Sequence, residues 1–228
     1  MGLYAISDLH LSLNSYKPMD IFGSQWKQHY ISLRENWLKT VKQEDTVLIG
    51  GDISWAMTLE EAKVDLDFIH KLPGKKILIR GNHDYWWKGI TELNNLYGDM
   101  IFLQNSHTNY EGYAICGTRG WICADDDSFS EHDRKIYRRE IVRLEISLKS
   151  ALAKGANKII VLIHYPPTNS ANLTSEFTKL FQQYPVEKVV YGHLHSEHHC
   201  DAINGITGGV TYFLTSSDFL EFCPIRIL

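Results

Sequence analysis

Short apolar stretches recur along the chain at Leu3 to Ile6, Thr46 to Ile49, Lys76 to Ile79, Lys158 to Ile163 and Lys188 to Tyr191. Each is β-branched or aromatic in character and only long enough for a buried strand. Between the first two, Trp26, Tyr30, Leu33, Trp37, Leu38 and Val41 recur at helical spacing and predict an amphipathic helix. Leu59, Ala62, Leu66 and Ile69 form a second stripe, which stops at Pro73-Gly74. A third helix is expected over Lys88 to Tyr97, followed by short strands at Met100 to Leu103 and Tyr113 to Gly117. The longest helix is expected from Glu131 to Ala153, with Tyr137, Ile141, Leu144, Leu148 and Leu152 as its apolar face and Gly155 as its C-cap. His199 to Ile203, Val210 to Leu214 and Cys223 to Ile227 read as β segments parted by Asn204-Gly205 and Gly208-Gly209 turns. Strand-helix units followed by antiparallel strands predict a layered α/β sandwich.

Each of the first five stretches gives way to a polar block built from the same few residue types. Asp8-x-His10, Gly51-Asp52, Gly81-Asn82-His83-Asp84, His164 and Gly192-His193-x-His195 all begin where a strand pattern ends. Ligands of open α/β sheets collect beyond the carboxyl ends of parallel strands. The five ends therefore deliver carboxylates, imidazoles and an amide to one rim, the donor set of a divalent metal centre. Residues two apart leave a strand end on the same side, so Asp8 with His10, and His193 with His195, form chelating pairs. Asp8, His10, Asp52, Asn82, His164, His193 and His195 make seven candidate ligands, too many for one tetrahedral ion and enough for two once solvent completes each shell. Two ions about 3.5–4 Å apart can share a hydroxide and neutralise a phosphoryl group during in-line displacement. His83 leaves the strand opposite to Asn82 and is expected to protonate the leaving oxygen as a general acid. Arg80 carries a fork of donors suited to phosphate oxygens and is expected to bind substrate.

Composition narrows the partners. The 228 residues show no linker or shift in composition, so one domain over 1–228 is expected. A net charge of −4 gives no overall attraction for nucleic acid or an anionic membrane. No apolar run approaches a membrane span, and the chain opens into a strand pattern without a basic leader, so a cytoplasmic protein is expected. Cys116, Cys123, Cys200 and Cys223 have no CxxC spacing and are expected to be reduced, mostly buried thiols.

The five polar blocks, in this order from residue 8 to 195, resemble the signature of calcineurin-like metallophosphoesterases, in particular the small prokaryotic-type phosphohydrolases. The resemblance implies a four-layer α-β-β-α sandwich of two packed mixed β-sheets and a dinuclear centre. It implies one ion on Asp8, His10, Asp52 and His195 and another on Asp52, Asn82, His164 and His193, with Asp52 bridging. It also implies that His83 stands by the scissile phosphate. Mixed nitrogen and oxygen ligands accept manganese, iron or zinc. The serine/threonine phosphatase branch follows its Gly-Asp with Val-Asp-Arg-Gly, whereas Gly51-Asp52 here precedes Ile53-Ser54-Trp55-Ala56-Met57. The aspartate that partners the catalytic histidine in that branch has no match, which counts against a protein phosphatase.

The expected activity is hydrolysis of a small phosphate ester or nucleotide-like phosphodiester. A nuclease and a non-catalytic scaffold of the same fold are the alternatives. Trp55, Tyr85, Trp86 and Trp87 follow polar blocks and Trp121 follows Arg119-Gly120; either they pack in the core or they form a stacking wall for a base. Asp84 is expected to brace its loop, and Asp125-Asp126-Asp127 to be a solvated loop. Arg134, Lys135, Arg138, Arg139 and Arg143 read as a solvated ion-pair face on the long helix, with Glu131–Lys135 and Glu145–Lys149 pairs.

Overall fold

The structure, a computed structural model, describes residues 1–14, 17–123, 129–169 and 172–228. The strands of the first half are β1 (Leu3–Ile6), β2 (Thr46–Ile49), β3 (Lys75–Leu78), β4 (Met100–Phe102) and β5 (His107–Tyr110). Those of the second half are β6 (Tyr113–Thr118), β7 (Ile159–Ile163), β8 (Val186–Tyr191), β9 (Gly205–Thr207), β10 (Val210–Leu214) and β11 (Ile225–Arg226). One sheet has the order β11-β1-β2-β3-β4, parallel except for β11; the other is β5-β6-β7-β8-β10-β9, parallel except for its two edges. The helices are α1 (His29–Thr40), α2 (Leu59–His70), α3 (Ile90–Asn94), α4 (Glu131–Leu152) and α5 (Glu176–Gln183).

Successive strand residues serve different cores, which is why the strands read as unbroken apolar runs. Leu3, Ala5, Leu48 and Ile77 meet Ile115, Ile160, Leu162 and Val190 between the sheets. Their neighbours Ile6, Val47, Ile49 and Leu78 face outward against Leu33 and Trp37 of α1 and Leu66 and Ile69 of α2. On the other sheet Ile159, Val161 and Ile163 pack against Leu144 and Leu148 of α4 and Phe177 and Phe181 of α5. The layers are thus helix, sheet, sheet, helix, and the α/β sandwich is the one the sequence pattern led us to expect. Among the described residues, no helix is long and apolar enough to cross a membrane.

Local chemistry sets the helix ends. Thr58 with Glu61 and Ser130 with Asp133 form reciprocal capping boxes at the starts of α2 and α4. At the far end of α4, Ala156 N donates to Ala151 O and Gly155 N to Leu152 O around Gly155 at φ 82°, a Schellman stop.

Several expectations are corrected. The first helix begins at His29 because Gln28 adopts φ 53°, and Trp26 belongs to a separate 3-10 turn, Ser24–Trp26. His199 to Ile203 is not a strand: Ser196–Asp201 forms a 3-10 turn. That turn and the β9–β10 hairpin reverse the chain twice, so β10 joins β8 parallel and not antiparallel. The buried face of α4 includes Glu140 and Ser147, while Leu152 is exposed. Both polar residues have inward partners, Thr118 Oγ1 on Glu140 and the Gly117 amide on Ser147. Glu131 pairs with Arg134 and not Lys135; Glu145 pairs with Lys149 as expected. Of the cysteines only Cys116 is buried, and Cys200 is exposed. The Asp125-Asp126-Asp127 run lies outside the described residues.

Candidate metal centre

The strand ladders continue past the strands and draw their trailing loops together. Asp8 N donates to Gly51 O and His10 N to Asp52 O, while Gly192 N donates to His164 O and His164 N to Arg119 O. Four of the seven candidate ligands sit in left-handed backbone: Asp8 at φ 59°, His10 at 44°, Asp52 at 51° and His193 at 73°. A side chain held there costs free energy, and such positions concentrate at functional sites. Two glycines make the close approach possible. A Cβ on Gly192 would fall on Asp8 Oδ2, and one on Gly81 would fall on Asp52.

All seven candidates converge. Asp8, His10 and His195 offer donor atoms that all lie within 4.8 Å of one another, and so do Asp8, Asp52 and His164. His10 Nε2 is 3.4 Å from His195 Nε2. Asp52 Oδ2 stands 3.9 Å from His10 Nε2 and 3.5 Å from His164 Nε2, between the two groups. Asn82 Oδ1 faces His164 Nε2 at 2.7 Å and His193 Nδ1 at 3.1 Å.

These contacts fit a cation. The Gly50 carbonyl, 2.9 Å from His164 Nδ1, can only accept, so Nδ1 carries the proton and a neutral His164 turns a lone pair on Nε2 toward Asn82 Oδ1. A lone pair facing a carbonyl oxygen at that distance repels unless a positive charge lies against both. Asp8 Oδ1 and His10 Nδ1 are buried without a hydrogen-bond partner among the described residues, a state that costs free energy in a dry site.

The electrostatics agree. Burial, reinforced by the charge of Asp8, pushes Asp52 up to about 8. Burial also works to raise Asp8, but the His195 imidazole 3.6 Å away and the charge it carries prevail and hold Asp8 well below the usual carboxylate range. Burial lowers His10 and His164 and brings His193 down to about 3. Without a cation, then, the site resists ionising both carboxylates and keeps these three imidazoles neutral with lone pairs available.

One supporting residue was not anticipated. Asp218 Oδ1 accepts from His195 Nδ1 at 2.8 Å, and Oδ2 accepts from Ser196 N at 3.1 Å. Burial lowers His195, yet its hydrogen bond to Asp218 and the nearby Asp8 carboxylate win and push it up to about 10. Asp218 fixes the ring so that Nε2 faces Asp8 and His10. The signal was present: Thr215-Ser216-Ser217-Asp218 begins where the strand Val210–Leu214 ends. Asp218→Asn is expected to weaken metal affinity by about 10–100-fold with little change in melting temperature; titration of the chelated protein with metal checks it.

A cavity of about 210 Å³ opens on these groups, lined by His10, Asp52, His83, His193 and His195 and by Met19, Phe22, Trp26 and Trp55. Trp55 stacks on His10 at 5.0 Å, and Trp26 meets His10 and His195 edge-on. The two readings of the aromatic residues therefore divide between them. Trp86 and Trp87 are core residues, bonded to Asp84 and Gln104 through their indole N–H groups, and Trp121 lies over Arg119. Trp26, Phe22 and Met19 take their place at the cavity. Asp84 braces its loop, its Oδ1 accepting from Ile53 N and Ser54 N and its Oδ2 from Gly81 N. His83 lines the cavity with Nε2 3.9 Å from Asp52 Oδ2, and its ring rests 4.3 Å from Trp55. Arg80 bonds Asp84 O and lines a separate cleft, not this cavity.

Comparison with known proteins places this geometry. The gene 66 protein of Mycobacterium phage L5 is 36% identical over 78 residues, 34% of this chain and 37% of the phage protein. A probable cyclic nucleotide phosphodiesterase of Ruthia magnifica subsp. Calyptogena magnifica is 25% identical over 161 residues, 66% of this chain and 62% of that protein. The chain thus spans less than two thirds of the length of both relatives. The phosphopantetheinyl hydrolase PptH of Mycobacterium tuberculosis superposes over 100% of this chain and 95% of its own with a TM-score of 0.52 at 16% identity, a likeness of fold alone. The model of one family, the calcineurin-like phosphoesterases, matches residues 1–197, the stretch that carries all five polar blocks. The chain belongs to that family.

Proposed function

We propose that the chain hydrolyses a small phosphate ester or a nucleotide-like phosphodiester at a centre of two divalent ions. The observation that carries this reading is Asp52 Oδ2 standing between His10 Nε2 at 3.9 Å and His164 Nε2 at 3.5 Å, each within a group of metal-type donors, on an aromatic cavity. On this reading Asp8, His10, Asp52 and His195 hold one ion and Asp52, Asn82, His164 and His193 the other, manganese, iron or zinc according to supply. When bound, the ions supply Lewis acidity toward a phosphoryl oxygen and acidify water for in-line attack.

The chain's own residues do the rest. His83, partly exposed in the cavity and beside Asp52, holds a proton at Nε2 for the leaving oxygen. Trp55 and Trp26 offer apolar surface to the leaving group and exclude water around it. The size of the cavity and the net charge of −4 favour a small ester over a nucleic acid strand. The relative described as a probable cyclic nucleotide phosphodiesterase supports the same class.

The test is a metal-reconstituted screen of phosphomonoesters, cyclic and linear phosphodiesters and single-stranded DNA on one preparation, with His83→Ala alongside wild type. Wild type is expected to turn over a small ester. His83→Ala is expected to keep its metal and lose about 10²–10⁴-fold in kcat, most for poor leaving groups. Unchanged turnover in that variant removes His83 from the mechanism; strand cleavage without small-ester hydrolysis overturns the substrate class.

A further inference from the structure

Beside the metal centre lies a second cleft, which shares no lining residue with the aromatic cavity. Arg80, Arg119 and Arg143 line it, with Gln104 and Asn105 at its edge and Glu140 beneath. Glu140 is 1% exposed and already engaged: Oε2 accepts from Thr118 Oγ1 at 2.7 Å, and Oε1 accepts from Arg143 Nη1 at 2.7 Å. Arg119 Nη2 and Arg139 Nε stand farther off, at 3.8 and 3.6 Å. One carboxylate thus faces three guanidinium groups, Arg119, Arg139 and Arg143, while Arg80 lines the same cleft without a contact to it.

Arg119 is the informative member. Its side chain is only 16% exposed, stacked over Trp121 at 4.5 Å, and its buried Nε–H has no acceptor among the described residues. The ring below and the buried Nε hold the guanidinium in place, and Nη2, 3.8 Å from Glu140 Oε1 and so not hydrogen-bonded to it, is left with donor capacity for an oxyanion in the cleft. Planar forks of N–H groups match the oxygens of phosphate. The cleft, about 70 Å³, admits a phosphate-sized group but no base. Its position is fixed by the strands that build the metal centre: Arg80 precedes Gly81-Asn82, and the carbonyl of Arg119 accepts from both His164 N and Tyr165 N.

We infer that this cleft is a phosphate subsite, distinct from the place where the ester is cleaved. Its occupant is either a second phosphate carried by the substrate or a free phosphate ion. The kinetic part of the test rests on the phosphoesterase reading; the binding part does not.

The experiment titrates metal-loaded, full-length protein with inorganic phosphate in a calorimeter, using wild type, Asp52→Asn, Arg143→Gln and the double variant. Wild type is expected to bind two phosphates per chain, each single variant one, and the double variant none. Should Arg143→Gln fail to fold, Arg80→Gln, which leaves the contacts of Glu140 intact, reads the same site. A wild type that binds one phosphate, lost on Asp52→Asn, overturns the subsite, as does a second phosphate untouched by Arg143→Gln and Arg80→Gln. Kinetics then separate the sources. A rise of about tenfold in KM for a nucleoside bisphosphate but not for a monophosphate in Arg143→Gln identifies the substrate's own phosphate. Loss of phosphate binding with both KM values unchanged identifies the free ion. If no ester is turned over, the stoichiometry still decides the subsite.

Discussion

Asp52→Asn is expected to empty the metal centre and lower kcat/KM by about a thousandfold or more. Asparagine suits the local backbone, because at φ 51° it is among the few side chains that enter the left-handed region readily. Its amide oxygen can still accept the His83 N–H bond, 2.8 Å long in the wild type, so the Gly81-Asn82-His83 loop keeps its anchor. What disappears is the negative charge and the unbonded Oδ2 that stands between His10 and His164. Folding should not suffer. With metal removed, the variant is expected to melt no lower than wild type, since it relieves the meeting of two buried carboxylates that burial and the charge of Asp8 make unfavourable. Elemental analysis, thermal melting with and without chelator, and kcat/KM check all three points together. Full metal content with normal turnover would exclude Asp52 from the centre.

Gly192→Ala should do comparable damage through a single methyl group. Its Cβ would overlap Asp8 Oδ2, which accepts the His193 N–H at 2.9 Å, and would stand 2.6 Å from Ser7 Cβ. Ser7 cannot retreat, because its backbone bonds Thr215 and Ser217 and its hydroxyl meets Thr215 Oγ1. The strain must therefore move Asp8 or part the two sheets at that corner. A loss of about 1–3 kcal/mol in stability is expected from overpacking a rigid site, together with a drop in metal affinity of about tenfold or more from the displaced carboxylate. Gly98→Ala is the control, since a Cβ there meets nothing within 4 Å. Denaturant titration and metal titration of both variants decide it. Equal metal affinity in the two would show that the close approach at Gly192 is not needed.

The layers and the rim were legible because both arise from short-range pattern. Alternate residues of β1, β2 and β7 enter different cores, so the strands announce themselves as apolar runs, and the polar residues that end them stand out. Gly155 marked the end of α4 for a similar local reason. What escaped was long-range. Trp26 looked like the first turn of a helix, and only the left-handed Gln28 detaches it and turns it to His10. Trp86 and Trp87 stand close behind the GNHD block, yet hydrogen bonds to Asp84 and Gln104 draw them into the core. α5 carries a fair signal in Phe177, Leu180 and Phe181 behind Ser175, but its eight residues were too few to distinguish from a loop. Asp218 obeyed the same strand-end rule as the other blocks and was passed over because it stands four residues past its strand.

The two sheets contribute unequally to the rim: Asp8, His10, Asp52 and Asn82 trail strands of one, and His164, His193 and His195 trail strands of the other. His10 and His195, 185 positions apart, touch only when both sheets have docked. On the proposed reading, a ribosome would have to release most of the polypeptide before a cation could be retained, and loading would be a late checkpoint on assembly. A cell short of the ion would accumulate chains whose halves are less firmly clasped, and these would be the first exposed to proteolytic quality control.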